Sequence, residues 1–180
     1  MRPIFPVINA GGTNCSGRSK YIMKIIRKYF WYVPAVIWMV IIFNMSGQTG
    51  EISSGLSLQV TEKVVDIIEI VRGGDETDAA VLTEKIHPYI RKYAHMTEYG
   101  ILYILMFLSF LASAIATRSM AMSAIFSFVY ACTDEFHQTF IAARAGQFTD
   151  VCIDMTGVLA ANVLVLLVYS SWQIRKNRET

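Results

Sequence analysis

Residues 89–117 read YIRKYAHMTEYGILYILMFLSFLASAIAT. From Tyr99 to Thr117 there is no charge, while the first turns carry Arg91, Lys92, His95 and Glu98. A stretch this long and this apolar reads as a membrane-crossing helix entered through a polar mouth. Three more stretches follow the same logic. Tyr29–Met45 contains no charge and carries Trp31, Tyr32 and Trp38 as interfacial or packing aromatics. Ser119–Phe140 is apolar until Asp134, Glu135, His137 and Gln138. Asp150–Trp172 has Asp150 and Asp154 near its start. The pattern predicts spans at about 29–45, 93–117, 119–140 and 150–172, hence an all-α integral membrane protein built as a four-transmembrane-helix bundle.

Composition narrows the function classes. The chain has 180 residues, 54% hydrophobic and 17% charged, with mean hydropathy +0.42. Soluble domains carry about a quarter charged residues, so the chain does not read as an ordinary soluble enzyme, nor as disordered. Net charge is +2 and no basic stripe runs along a helix, which argues against nucleic acid. Cys15, Cys132 and Cys152 show no repeated spacing, so no disulfide framework or zinc finger is expected, and no cofactor.

The segments outside the spans are polar. Residues 1–28 read as a flexible tail with a basic cluster, Arg18, Lys20, Lys24, Arg27 and Lys28; residues 173–180 form a second basic tail. An acidic loop, 46–92, joins spans one and two. Within it Val60, Val64, Ile67, Ile68 and Val71 recur at helical spacing, which predicts an amphipathic, extramembrane helix over Ser57–Arg72. Gly73–Gly74 would end it. A short second helix would start near Asp75 or Asp78 and break or bend at Pro88. With four spans both termini share one side, which holds ten of the Lys and Arg residues against six on the other; the excess places the termini in the cytoplasm.

The polar ends of spans two, three and four then face one membrane surface. Asp134 lies about 22 Å along its helix from Ser119 at 1.5 Å per residue. Glu98 and Asp154 fall at similar depth, so one polar pocket is expected near the extracytoplasmic face. Its candidate lining is Arg91, His95, Glu98, Asp134, Glu135, His137, Gln138, Arg144, Asp150 and Asp154. Arg91, His95 and Glu98 share a helix face; Asp134, His137 and Gln138 share another; Asp150 and Asp154 continue into a stripe with Gly157 and Ala161, small enough for close helix approach. The two aspartates repel, so a cation is expected nearby, with Arg144 or Arg91 the obvious candidate.

Several chemistries fit such a pocket. His95 and His137 with Asp134, Glu98 or Asp154 would suit zinc or manganese, but no HExxH-like spacing is present, and a charge network locking three helices together is the plainer reading. Glu98, Asp134, Glu135 and His137 offer acid–base pairs for a membrane-embedded hydrolase or transferase acting on a lipid-linked precursor. No serine or cysteine nucleophile stands out. Arg144 would hold a phosphate or carboxylate, or pair with Asp150 or Asp154. A purely structural partner of another membrane protein is a third reading. Cys132, Cys152, Met106, Met120 and Met122 read as packing residues. The helix over 57–72 reads as lying on the surface rather than as a lid.

These residues carry a resemblance. Ile90-Arg91-Lys92-Tyr93-Ala94-His95-Met96-Thr97-Glu98-Tyr99 is similar to the second-span motif of the VanZ-like membrane family. So is Tyr130 to Gly157, with Asp134-Glu135-Phe136-His137-Gln138, Arg144, Asp150, Asp154 and Gly157. Ser46-Gly47-Gln48 resembles the family's signature after span one. Ala143 departs from the glycine that commonly precedes the family's arginine. The likeness covers roughly 30–170. It implies a bacterial cell-membrane protein, with a VanZ-like domain over 29–172. The founding member is associated with low-level teicoplanin resistance, so the expected partner is a membrane lipid or lipid-linked wall component, with a lipoglycopeptide involved indirectly.

Overall fold

The computed structural model describes residues 29–72, 76–142, 144 and 146–179. Among these it holds five α-helices and no strand. The expected tail over 1–28, the Gly73–Gly74 break, Asp75 and Ala143 lie outside the described residues.

Helix α1, Tyr32–Ser46, takes Pro34 in its first turn, where a missing N–H costs little. Helix α2, Gly50–Arg72, starts seven residues before the expected Ser57. Thr61 and Val65 are its buried residues, against the side of the next helix, whereas Val60, Ile67 and Val71 face outward. The apolar stripe read from the sequence therefore lies mainly on the outer face.

Helix α3, Glu76–Leu111, runs unbroken through Pro88. The expected short helix and its break at Pro88 are thus corrected, and Asp78 sits inside the helix. Proline removes one backbone hydrogen bond, and neighbouring packing holds the helix through it: α2 lies alongside, and its Ser57 Oγ is 2.8 Å from His87 Nε2. Helix α4 spans Ala116–Gln138 and α5 spans Phe148–Arg178. The expected basic tail from 173 is helical to Arg178. Arg175, Lys176 and Arg178 fall in the last turn, where cations complement the helix dipole.

Helix α3 is the centre, touching all four others and lying longest against α5. The core joins Ala35 and Ile42 of α1, Tyr99, Leu102, Tyr103, Met106 and Phe107 of α3, Ala131 of α4, and Val151, Val158 and Ala161 of α5. Two cross-helix bonds pin α1: Trp38 Nε1 donates to the Glu98 carbonyl at 2.9 Å, and Tyr130 OH donates to the Met39 carbonyl at 2.7 Å. Met120 and Cys132 pack on the core, but Met122 and Cys152 face outward, against expectation.

Close approach of α3 and α5 depends on Gly157. A Cβ there would overlap the Met96 carbonyl oxygen and lie 2.6 Å from the Met96 carbonyl carbon. Ala161 continues the contact toward Gly100. By length and apolarity, Ala79–Leu111 of α3 and Phe148–Arg178 of α5 can cross a membrane; α1 is apolar but shorter. The expected four spans are therefore met by two helices on that criterion.

Candidate functional site

Where α3, α4 and α5 converge, a cavity of about 380 Å³ opens beside the α4–α5 loop. Arg91, His95, Glu135, Gln138, Arg144, Asp150 and Asp154 line it, together with His87, Pro88, Lys92, Gln147 and Ile153. The helical spacing explains the assembly. Arg91 and His95 stand one turn apart on α3, Glu135 and Gln138 close α4, and Asp150 and Asp154 open α5.

Gln138 is the hub. Its Nε2 donates to Glu135 Oε1 at 3.1 Å and to Asp134 Oδ2 at 3.3 Å. That fixes the amide, so its Oε1 faces the loop and accepts from Arg144 Nη1 at 3.1 Å. Glu135 Oε2 accepts the Gln147 backbone N–H at 3.0 Å, which ties the loop to the end of α4. Gly146 permits this, because a Cβ there would overlap the Glu135 carbonyl oxygen.

Arg91 and Arg144 line the same cavity as Asp150 and Asp154, but neither forms an ion pair with them. His95 Nδ1 lies 3.3 Å from Glu98 Oε2, whereas Arg91 and Arg144 have no carboxylate within 4.0 Å among the described residues. Arg144 is half-buried, its Nε is buried without a hydrogen-bond partner, and among the described residues its one side-chain bond is to a neutral amide. Burial, then the neighbouring Arg91 charge, pull the Arg144 guanidinium below its ordinary range. Asp154 is 4% exposed, lines the cavity, and has no described donor within hydrogen-bonding distance.

Three sequence candidates lie elsewhere. Glu98 is held by His95 and does not line the cavity. His137 turns to α1 and stacks on Phe43, ring centroids 4.4 Å apart, so it does not share the Asp134 and Gln138 face. Asp134 is buried behind the cavity beside Ser46 and Tyr99. Asp134 Oδ1 and both neighbouring hydroxyls lack hydrogen-bond geometry. The His95, His137 and Asp134 metal set is not brought together, and no group of three or more metal-ligating side chains occurs among the described residues. The acid–base set Glu98, Asp134, Glu135 and His137 contributes only Glu135 to the cavity.

Sequence reasoning missed His87, Lys92 and Gln147. Lys92 sits beside Arg91, and Gln147 precedes the first residue of α5, where a loop backbone N–H is available for a carboxylate. Comparison with curated proteins and with solved structures returns no match. A family model described as VanZ/LLP1 matches residues 30–169, which takes in α1 to α4, the cavity and most of α5. The chain belongs to the VanZ/LLP1 family.

Proposed function

We propose that this protein is a four-span envelope membrane protein, termini in the cytoplasm, that binds a lipid or lipid-linked wall component in the cavity near the extracytoplasmic face. One observation carries the binding reading: Arg91 and Arg144 face one cavity with no carboxylate within 4.0 Å of either, among the described residues. Guanidinium groups held this way suit the anionic group of a ligand, such as a phosphate.

The membrane reading draws support from α4. Its buried residues include Ser119, Ser123, Ser127, Asp134, Glu135 and Gln138, while Met122, Ile125, Phe128, Val129 and Phe136 are exposed. Apolar outside and polar inside is the arrangement a lipid solvent favours. The outward stripe of α2 suits a helix lying at the interface.

Native mass spectrometry of the purified full chain tests the binding. Wild type is expected to retain phospholipid, and Arg144→Ala to retain several-fold less. Equal retention overturns the reading. The resistance role is separate: expression in a sensitive Gram-positive host is expected to raise teicoplanin tolerance, and unchanged susceptibility removes that role.

A further inference from the structure

We infer that the headgroup bound in this cavity is a zwitterionic aminophosphate, its phosphate held by Arg91 and Arg144 and its protonated amine by Asp154 and Asp150. The inference rests on the lipid-binding reading and narrows it to a ligand class.

Charge balance is the first argument. Arg91, Lys92 and Arg144 line one cavity with Glu135, Asp150 and Asp154, three cations and three acids, beside His87 and the Glu98-paired His95. A net-neutral ligand with separated charges leaves that balance intact, whereas a simple anion adds an uncompensated charge to the cavity.

The unpartnered groups are the second argument. Arg144 lines the cavity with its Nε buried and without a partner. The 4%-exposed Asp154 lines the same cavity without a hydrogen bond among the described residues. Asp150 stands one turn from it on the same helix. A planar guanidinium fork suits phosphate oxygens; a carboxylate suits an ammonium that can donate hydrogen bonds.

Gln138 explains why the arginine remains available. The two nearest acids of α4 are spent on its amide N–H groups, and only its neutral carbonyl reaches Arg144. The guanidinium is positioned without being neutralised, so Gln138 is a positioning residue. Size is the last argument. About 380 Å³ lies at the low end of ligand cavities, about 300–1,000 Å³, which fits a headgroup and not a whole glycopeptide.

The test uses the purified full chain in nanodiscs of phosphatidylcholine doped equally with phosphatidylethanolamine and phosphatidylglycerol, read by native mass spectrometry. Phosphatidylethanolamine is expected to be retained about tenfold over phosphatidylglycerol, the size of one charge-assisted hydrogen bond. Asp154→Asn should remove that preference. Should the buried substitution unfold the chain, the half-buried Asp150→Asn is expected to reduce the preference about threefold. Gln138→Glu should weaken retention of both lipids by pairing directly with Arg144, and should lower melting as well, because a third buried carboxylate replaces the amide N–H groups that serve Asp134 and Glu135. Displacement by soluble phosphoethanolamine extends the ligand class to the free aminophosphate; retention against it assigns the lipid form. Lipid retained with equal or greater preference for phosphatidylglycerol overturns the inference and leaves lipid binding standing. Retention of phosphatidylcholine alone overturns the inference and leaves lipid binding standing; retention of no phospholipid overturns both.

Discussion

Gly157→Ala is the sharpest test of the packing that builds the cavity. The added Cβ would overlap the Met96 carbonyl oxygen and sit 2.6 Å from the carbonyl carbon and 2.8 Å from Met96 Cα. Ordinary contact begins at 3.4 Å, so the carbonyl carbon alone requires α3 and α5 to part by about 0.8 Å and the nearer carbonyl oxygen requires more, backbone against backbone, with no side chain able to yield. Overpacking costs about 1–3 kcal/mol, and a rigid backbone clash belongs at the upper end. For a chain of this size, about 2–4 °C of melting temperature is lost per kcal/mol, giving a drop of about 6–12 °C. The same parting moves His95, next to Met96, away from Asp154, three residues before Gly157, so lipid retention should fall too. Differential scanning fluorimetry in detergent reads the first effect and native mass spectrometry the second. Gly55→Ala is the control: nothing lies within 4 Å of its Cβ position, and replacing a helical glycine by alanine gains up to about 1 kcal/mol. Gly157→Ala melting within about 2 °C of wild type would falsify the close crossing of α3 and α5.

Three further outcomes are expected. Trp38→Phe and Tyr130→Phe each remove one bond that holds α1; each should cost about 0.5–1.5 kcal/mol, checked by the same melting assay. Gly146→Ala should lift the loop from the Glu135 carbonyl, cutting lipid retention several-fold while lowering melting less than Gly157→Ala does. Single cysteines placed at Gln147 and Asn177, in a chain otherwise free of cysteine, should be labelled from opposite sides of intact cells, Gln147 from outside; labelling from one side would refute the proposed topology.

Much of this site is legible in the sequence because helical spacing is a local property. Arg91 with His95, and Asp150 with Asp154, fall one turn apart in any α-helix, and small Gly157 and Ala161 announce a close crossing. What spacing cannot give is the rotation of a helix about its own axis. His137 is three residues from Asp134, yet its ring meets Phe43 on α1, a contact set by tertiary packing. The outward stripe on α2 has the same origin: Thr61 and Val65 face α3, so the more regular apolar series faces out. Pro88 misleads for a different reason. A proline costs one hydrogen bond locally, but α2 lies alongside this part of α3 and holds it straight enough to continue. The role of Gly100 is invisible until Gly157 is known to lie opposite.

Helix α4 joins the membrane question to the site. Judged by average apolarity it falls short of a span, because serines and acids dilute its hydropathy. Those polar residues are the buried ones, recurring at Ser119, Ser123 and Ser127 and then at Asp134 and Gln138. Ser119 and Ser123 are satisfied within the helix, donating to the Ile115 and Ser119 carbonyls at 3.1 and 2.7 Å, so they add little cost in an apolar layer. The outward face presents Ile125, Phe128, Val129 and Phe136. In water this helix would be turned inside out, with its best apolar surface solvated and its carboxylates desolvated. In lipid the same orientation is the favourable one, and it delivers Asp134, Glu135 and Gln138 to the level of the cavity. Substituting Ile125 and Val129 by serine would raise solubility in a water-facing helix and destabilise a lipid-facing one. The lipid-facing geometry therefore predicts reduced membrane abundance for Ile125→Ser with Val129→Ser, and no loss for the buried-face change Ser123→Ala.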